Sequence, residues 1–170
     1  MLREKSGQVK IITNDSVGYA TYNLDLNEED RLRLKKLCSP YVDGGFRKDI
    51  LEINEVELYE DAGFIVFTMS DFHMPSDGEF HLSSLMADVC LLHAGVIYSH
   101  VDTGSTIKDR EVYLKSGSIR YLKPISERKF RLDFYITEKR ISGPLKHYTS
   151  MIDFNNGCFV GEYSWMVPLP

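Results

Sequence analysis

Cysteine is scarce: Cys38, Cys90 and Cys158 are the only three in 170 residues, far apart and without a C-x-x-C pair. An odd, scattered set excludes the disulfide framework of a small secreted domain and a structural zinc site. It leads us to expect a reducing compartment, the cytoplasm. Long apolar runs are also missing. No stretch reaches the roughly 18–20 uncharged apolar residues of a spanning helix, so no membrane span is expected. The opening Met1-Leu2-Arg3-Glu4-Lys5-Ser6-Gly7 is polar, with no apolar signal core after it. There is no dense basic tract, and 20 Lys+Arg stand against 25 Asp+Glu for a net charge of −5. Duplex nucleic acid requires clustered positive charge and is not an expected partner. A Walker loop, G-x-G-x-x-G, G-x-S-x-G and H-E-x-x-H are all absent. Nucleotide hydrolysis, dinucleotide chemistry, a serine-hydrolase elbow and zincin chemistry therefore lack support, and no cofactor or metal is expected.

What is present is an ordinary globular mixture, 43% hydrophobic and 26% charged. At this length one domain is expected, able to bury roughly 70% of its unfolded surface. Residues 1–26 alternate weakly and read as an N-terminal extension, loose or strand-like. Asn27-Glu28-Glu29-Asp30 then signals a helix start, and Leu32, Leu34 and Leu37 among Arg and Lys make a short amphipathic helix that Ser39-Pro40 ends. Two strand-like runs follow, Ile50–Tyr59 and Phe64–Phe72, split by a turn at Glu60-Asp61-Ala62-Gly63. From Leu82 to Tyr98 the period changes to that of a helix, apolar nearly all round and so expected to be buried on every side. Four strands are expected after it, Val112–Leu122, Phe130–Glu138, Lys146–Phe154 and Cys158–Val167. Their breaks are Lys123-Pro124, Ser142-Gly143-Pro144 and Asn155-Asn156-Gly157. One buried helix and about six strands predict an α+β domain over 27–170, an antiparallel sheet curled around the helix, which is the hot-dog arrangement. The short connections of the last four strands suggest a meander. An open sheet edge and face predict a homodimer or higher homo-oligomer.

Chemistry concentrates between the second strand and the long helix. Asp71-Phe72-His73-Met74-Pro75-Ser76-Asp77-Gly78-Glu79-Phe80-His81 places two of five histidines and three carboxylates at the start of a buried helix. Free N–H groups and the positive end of the helix dipole favour a carbonyl oxygen gaining negative charge. His73 or His81 then suits a general base, with Glu79 orienting it; the plain alternative is that both histidines only cap or pack. Asp88 is an isolated carboxylate in the helix, which must face solvent, pair or work in a site. Cys90 reads either as part of a pocket or as a small buried hydrophobe. Tyr41 could present its hydroxyl to a cleft or pack in the core. Arg120, Lys123, Arg128, Lys129 and Arg131 form either a solvated rim or a docking site for the phosphates of coenzyme A or a phosphopantetheine carrier.

Gly78-Glu79-Phe80-His81 resembles the Gly-His-Phe-Asn helix start of FcoT-like hot-dog thioesterases, which act on long-chain acyl-CoA. Ser39-Pro40-Tyr41, the basic stretch Arg120-Tyr121-Leu122-Lys123-Pro124 and the closing Gly161-Glu162 extend the resemblance over about residues 30–170. It implies a pocket that includes Tyr41, His73, His81 and Cys90. At the last three this chain departs from the family's tyrosine and asparagines. The expectation is a thioesterase acting on acyl-CoA or acyl-carrier-protein thioesters. The proposed catalytic residues are His73, His81 and Glu79, and the substrate-binding residues Tyr41, Gly78, Phe80, Asp88, Cys90, Arg120 and Lys123. Relatives in this group resemble enzymes that also add an amine such as glycine to an α,β-unsaturated acyl thioester. Separately, His73-Met74-Pro75 with Asp88 is similar to the His-Phe-Pro … Glu pair of hot-dog 3-hydroxyacyl-carrier dehydratases. A non-catalytic acyl-binding protein is the remaining alternative.

Overall fold

The computed structural model describes residues 10–13, 20–23, 49–75, 77–105 and 107–170. The expected amphipathic helix after Asn27 and Tyr41 lie outside them. Within the N-terminal extension, β1 (Lys10–Thr13) and β2 (Ala20–Asn23) form an antiparallel pair. The main body comprises β3 (Ile50–Leu58), β4 (Ala62–Asp71), helix α1 (Ser84–Asp102), β5 (Tyr113–Tyr121), β6 (Lys129–Ser142), β7 (Leu145–Phe154) and β8 (Phe159–Pro168).

Six strands make one antiparallel sheet in the order β3-β4-β6-β7-β8-β5. Alternation sets its faces. Ile65, Phe67 and Met69 of β4 and Phe130, Leu132 and Phe134 of β6 point inward and are buried. The turn Asn155-Asn156-Gly157 holds all three residues at positive φ (46°, 53° and 88°), the conformation Asn and Gly tolerate best. Gly161 has a different necessity. A Cβ there would sit 1.9 Å from the Ser118 carbonyl oxygen of the neighbouring strand.

The meander extends only over β6, β7 and β8. β5 instead pairs with β8 at the far edge, Tyr113↔Met166 through Tyr121↔Phe159. The reason is α1, which carries the chain away from β4 and releases it on the other side of the sheet.

α1 packs on the inner face of the sheet. Gly95 lies over the Trp165 ring, Trp165 Nε1 donates to Ser99 Oγ at 2.7 Å, and Tyr98 meets Phe134, Tyr148 and Trp165 edge to face. By length and composition α1 is apolar enough to cross a membrane, with a mean hydropathy of 1.3, although Asp88 interrupts it and it is not the uncharged run that the sequence was expected to lack. Half of that window is buried against the sheet, as in a core helix. The other half corrects an expectation. Leu85, Asp88, Leu92, His93 and Val101 are exposed, because one sheet covers only one face of a helix.

Candidate active site at the start of the helix

The segment between β4 and α1 is anchored at several points. The Gly78 N–H closes a turn onto the Pro75 carbonyl at 3.0 Å, with Gly78 at φ +76°. Asp77 Oδ1 accepts from the Glu79 N–H at 3.0 Å, and the Leu82 N–H donates to the Ile125 carbonyl at 2.9 Å. Phe72 and Phe80 meet edge to face at 4.7 Å, with the Arg128 guanidinium over Phe72. Ser83 caps the helix, its hydroxyl accepting from the Met86 N–H at 3.2 Å and its carbonyl from that of Ala87 at 3.0 Å. The N–H groups of Ser84 and Leu85 are left without intrahelical partners.

Two cavities flank this segment. The larger, about 370 Å³, is lined by His81 through Leu85, by Tyr121-Leu122-Lys123-Pro124 and by Phe159. The two free N–H groups therefore belong to residues on its wall. The smaller, about 20 Å³, is lined by Asp49, Met69, Phe72, His73, Pro75, Phe80, His81, Leu82, Ser83 and Met86. His81, Leu82 and Ser83 are common to both and form the partition between them.

Two tyrosine hydroxyls and one carboxyl near this end of α1 are shifted. Burial, then the Asp88 carboxylate, push the Tyr121 hydroxyl up, against the opposing Ser84 hydroxyl. Burial and then Asp88 push the Tyr163 hydroxyl up to about 12, and that buried hydroxyl has no hydrogen-bond partner. Asp88 itself is raised by desolvation. Among the described residues no group of His, Cys, Asp and Glu side chains could hold a metal ion.

The structure brings together part of the set expected from sequence. His73, His81 and Phe80 line the small cavity, and His81 and Lys123 the large one. Glu79 is exposed and bonds neither histidine. The carboxylates beside them are Asp49, 3.3 Å from His73 Nδ1, and Asp77, 3.8 Å from His81 Nδ1. Gly78 shapes the turn. Asp88 stands on the exposed face of α1 and lines neither cavity. Cys90 is fully buried in the core, where burial pushes its thiol far up and leaves it a packing residue. Arg120 pairs with Val160 on the outer face, because the neighbouring Tyr121 faces inward to the cavity. Asp49, Ser83, Ser84 and Tyr121 were not anticipated. The pairing Ile50↔Asp71 puts Asp49 beside His73, so the register of the first hairpin was the signal for it.

No family model matches the chain, and no curated protein matches it. Similar solved structures exist. A thioesterase from Haemophilus influenzae is 16% identical, with 84% of this chain and 90% of that one covered and a TM-score of 0.44. A Streptococcus mutans protein bound to acetyl CoA is 13% identical over 70% of this chain and 92% of that one, with a TM-score of 0.48. A hypothetical thioesterase with coenzyme A from Streptococcus pneumoniae is 10% identical over 71% and 89%, with a TM-score of 0.47.

Proposed function

We propose that the chain is a thioesterase that binds an acyl-CoA or acyl-carrier-protein thioester at the start of α1 and hydrolyses it to a carboxylic acid and a thiol. The 370 Å³ cavity carries this reading, because it is lined by Ser84 and Leu85, whose N–H groups have no intrahelical partner, together with His81 and Lys123. A thioester carbonyl gains negative charge as water adds, and N–H donors at a helix N-terminus lower the energy of that charge. A histidine takes the proton of the attacking water. Lys123 attracts the phosphate-bearing end of the substrate. The short motifs shared with FcoT-like thioesterases belong to this reading, with Tyr41 positioning the acyl group.

The test is product analysis by mass spectrometry with saturated, 2-enoyl and 3-hydroxyacyl thioesters, with and without glycine. Thiol release from saturated substrates is expected, and a glycine adduct from 2-enoyl substrates would extend the reaction to amine addition. No thiol release from any acyl-CoA or acyl-carrier substrate overturns the reading. Water loss from 3-hydroxyacyl thioesters without thiol release, dependent on Asp88, would mark a dehydratase instead.

We further propose a cytoplasmic location and assembly as a homodimer or higher homo-oligomer. The edge strand β5 leaves Tyr113, Leu114 and Tyr121 about half exposed, and the open face of α1 exposes Leu85 and Leu92. Light scattering on the purified chain should give a multiple of 19.6 kDa; a single-chain mass at micromolar concentration would sink the assembly.

A further inference from the structure

The two histidines of the site are held differently. His81 keeps 41% of its side-chain exposure, and its carboxylate neighbour Asp77 is at 3.8 Å and is more exposed still. His73 keeps 17%, and Asp49 only 7%. Asp49 grips His73 twice: Oδ1 accepts from the His73 backbone N–H at 2.9 Å and lies 3.3 Å from ring Nδ1. A proton on Nδ1 serves that contact and leaves Nε2 as the free base of the ring. The pair comes from separate elements, with Asp49 leading into β3 and His73 following β4, and the hairpin register fixes their separation. Both line the cavity of about 20 Å³, against the roughly 10–15 Å³ that one water requires. Its remaining wall is largely apolar, with Met69, Phe72, Phe80 and Met86.

We infer that Asp49 and His73 form a positioning-and-base dyad that activates a single water in the small cavity, against the His81-Leu82-Ser83 segment that this cavity shares with the large one. This rests on the hydrolysis reading above. With the thioester carbonyl brought to that shared segment, the water oxygen bonds to the carbonyl carbon as its proton passes to His73 Nε2. The carbonyl π electrons move to oxygen, where the helix N–H groups receive them. Collapse breaks the C–S bond, and the leaving sulfur takes the proton back from Nε2. The balance is one thioester and one water to one acid and one thiol. Asp49 keeps its charge throughout and acts only through the ring it holds.

The experiment uses the full-length protein with an acyl-CoA from which the wild type releases thiol. His73→Ala should lower kcat by about 10²-fold or more with KM within about twofold, as for loss of a general base. Asp49→Asn should lower kcat about 10-fold or more, also at constant KM, and Asp49→Glu should restore part of it. In the His73→Ala background Asp49→Asn should cost nothing further, because it acts through that ring. Long-range ¹⁵N correlation spectra supply a readout that packing alone would not move: an Nδ1–H tautomer for His73 in the wild type, lost in Asp49→Asn. Wild-type turnover in folded Asp49→Asn, or an equal loss in both backgrounds, overturns the dyad and leaves hydrolysis standing. No thiol release by the wild type removes the hydrolysis reading and the dyad's catalytic role together, with the ¹⁵N spectra still reporting whether the pairing exists.

Discussion

At the C-terminal end of α1 a side-chain network is centred on Asp102, with the buried His100 Nε2 left without a hydrogen-bond partner, whereas at the N-terminal end the Ser84 and Leu85 N–H groups have no intrahelical partner. Asp102 accepts from Lys139 at 3.2 Å, Lys146 at 2.5 Å and the Tyr148 hydroxyl at 2.7 Å. Lys139 also reaches the Glu60 carbonyl at 2.5 Å, which the Tyr98 hydroxyl contacts too. Arg110 ties Thr103 to the Pro168 carbonyl. At the other end one serine satisfies two N–H groups, and the next two belong to cavity-lining residues. Satisfied groups hold the helix on the sheet, and their hydrogen-bonding capacity is largely spent although a cavity of about 270 Å³ lies beside Tyr98, Val101 and Asp102. Unsatisfied ones weaken the fold slightly and can bind a developing charge. On the proposed reading the two ends divide stability from chemistry.

The strongest test of that division is Asp102→Ala. It leaves Lys139 and Lys146 together without their carboxylate, and we expect a loss of about 2–3 kcal/mol by urea denaturation. That is below the roughly 3–5 kcal/mol of a fully buried pair, since Asp102 keeps 17% of its side-chain exposure. Thiol release should stay within twofold of wild type below the unfolding transition. If turnover falls in proportion to stability, the two ends are not separable. The acid limb gives a second reading. Burial alone would raise the Asp102 carboxyl, but hydrogen bonds from Lys146, Tyr148 and Lys139 hold it below the usual range. Its stabilisation is therefore present above the unfolded pKa of about 3.9 and is lost as pH falls through the lower folded value. Between neutrality and about pH 5 the mutational loss should be constant, and it should shrink only below about pH 4.

Gly161→Ala tests the wall of the open end. The new Cβ would meet backbone, the Ser118 carbonyl at 1.9 Å, with no flexible side chain to yield. Overpacking of this kind typically costs about 1–3 kcal/mol. Here it falls on the pairing that sets Tyr121 beside the large cavity. We expect about 2 kcal/mol and a raised KM with acyl-CoA; an unchanged KM would detach β5 from substrate binding.

The tied and open ends differed in how readable they were. The strands of the sheet were legible because alternation and the Asn155-Asn156-Gly157 turn are local signals, and the long apolar run gave the helix. The position of β5 was not, since it depends on where α1 releases the chain, a property of tertiary direction. In the site, His73 and His81 were visible as a local cluster, but Asp49 is 24 residues from its partner. Glu79 illustrates the opposite error, nearness in sequence without a contact. Arg120 and Tyr121 are adjacent, and strand alternation places only one of them at the cavity. The polar bracket at Asp102 was invisible for the same reason as Asp49, its lysines lying 37 and 44 residues on.

A smaller effect is expected at the cap. Ser83→Ala removes the hydroxyl that serves the Met86 N–H, at a typical cost of about 1 kcal/mol. Ser83 also belongs to the partition between the cavities, so a change in kcat should accompany the loss of stability. The cap loss without any change in kcat would make the partition passive.

The smallest effect is one of opposite sign, in the middle of the helix between the two ends. Gly95 looks indispensable because it lies over Trp165, yet a Cβ there would sit 3.5–3.6 Å from the ring, an ordinary van der Waals distance. Glycine inside a helix is worse than alanine by about 0.5–1 kcal/mol, through the freedom its backbone loses on folding. The close approach therefore does not require glycine, and Gly95→Ala should stabilise the protein by about 0.5 kcal/mol with unaltered thiol release. A loss of stability would mean that the helix already sits at its limit above Trp165. The hydrogen bond from Trp165 to Ser99, one turn on, would then be what holds it there.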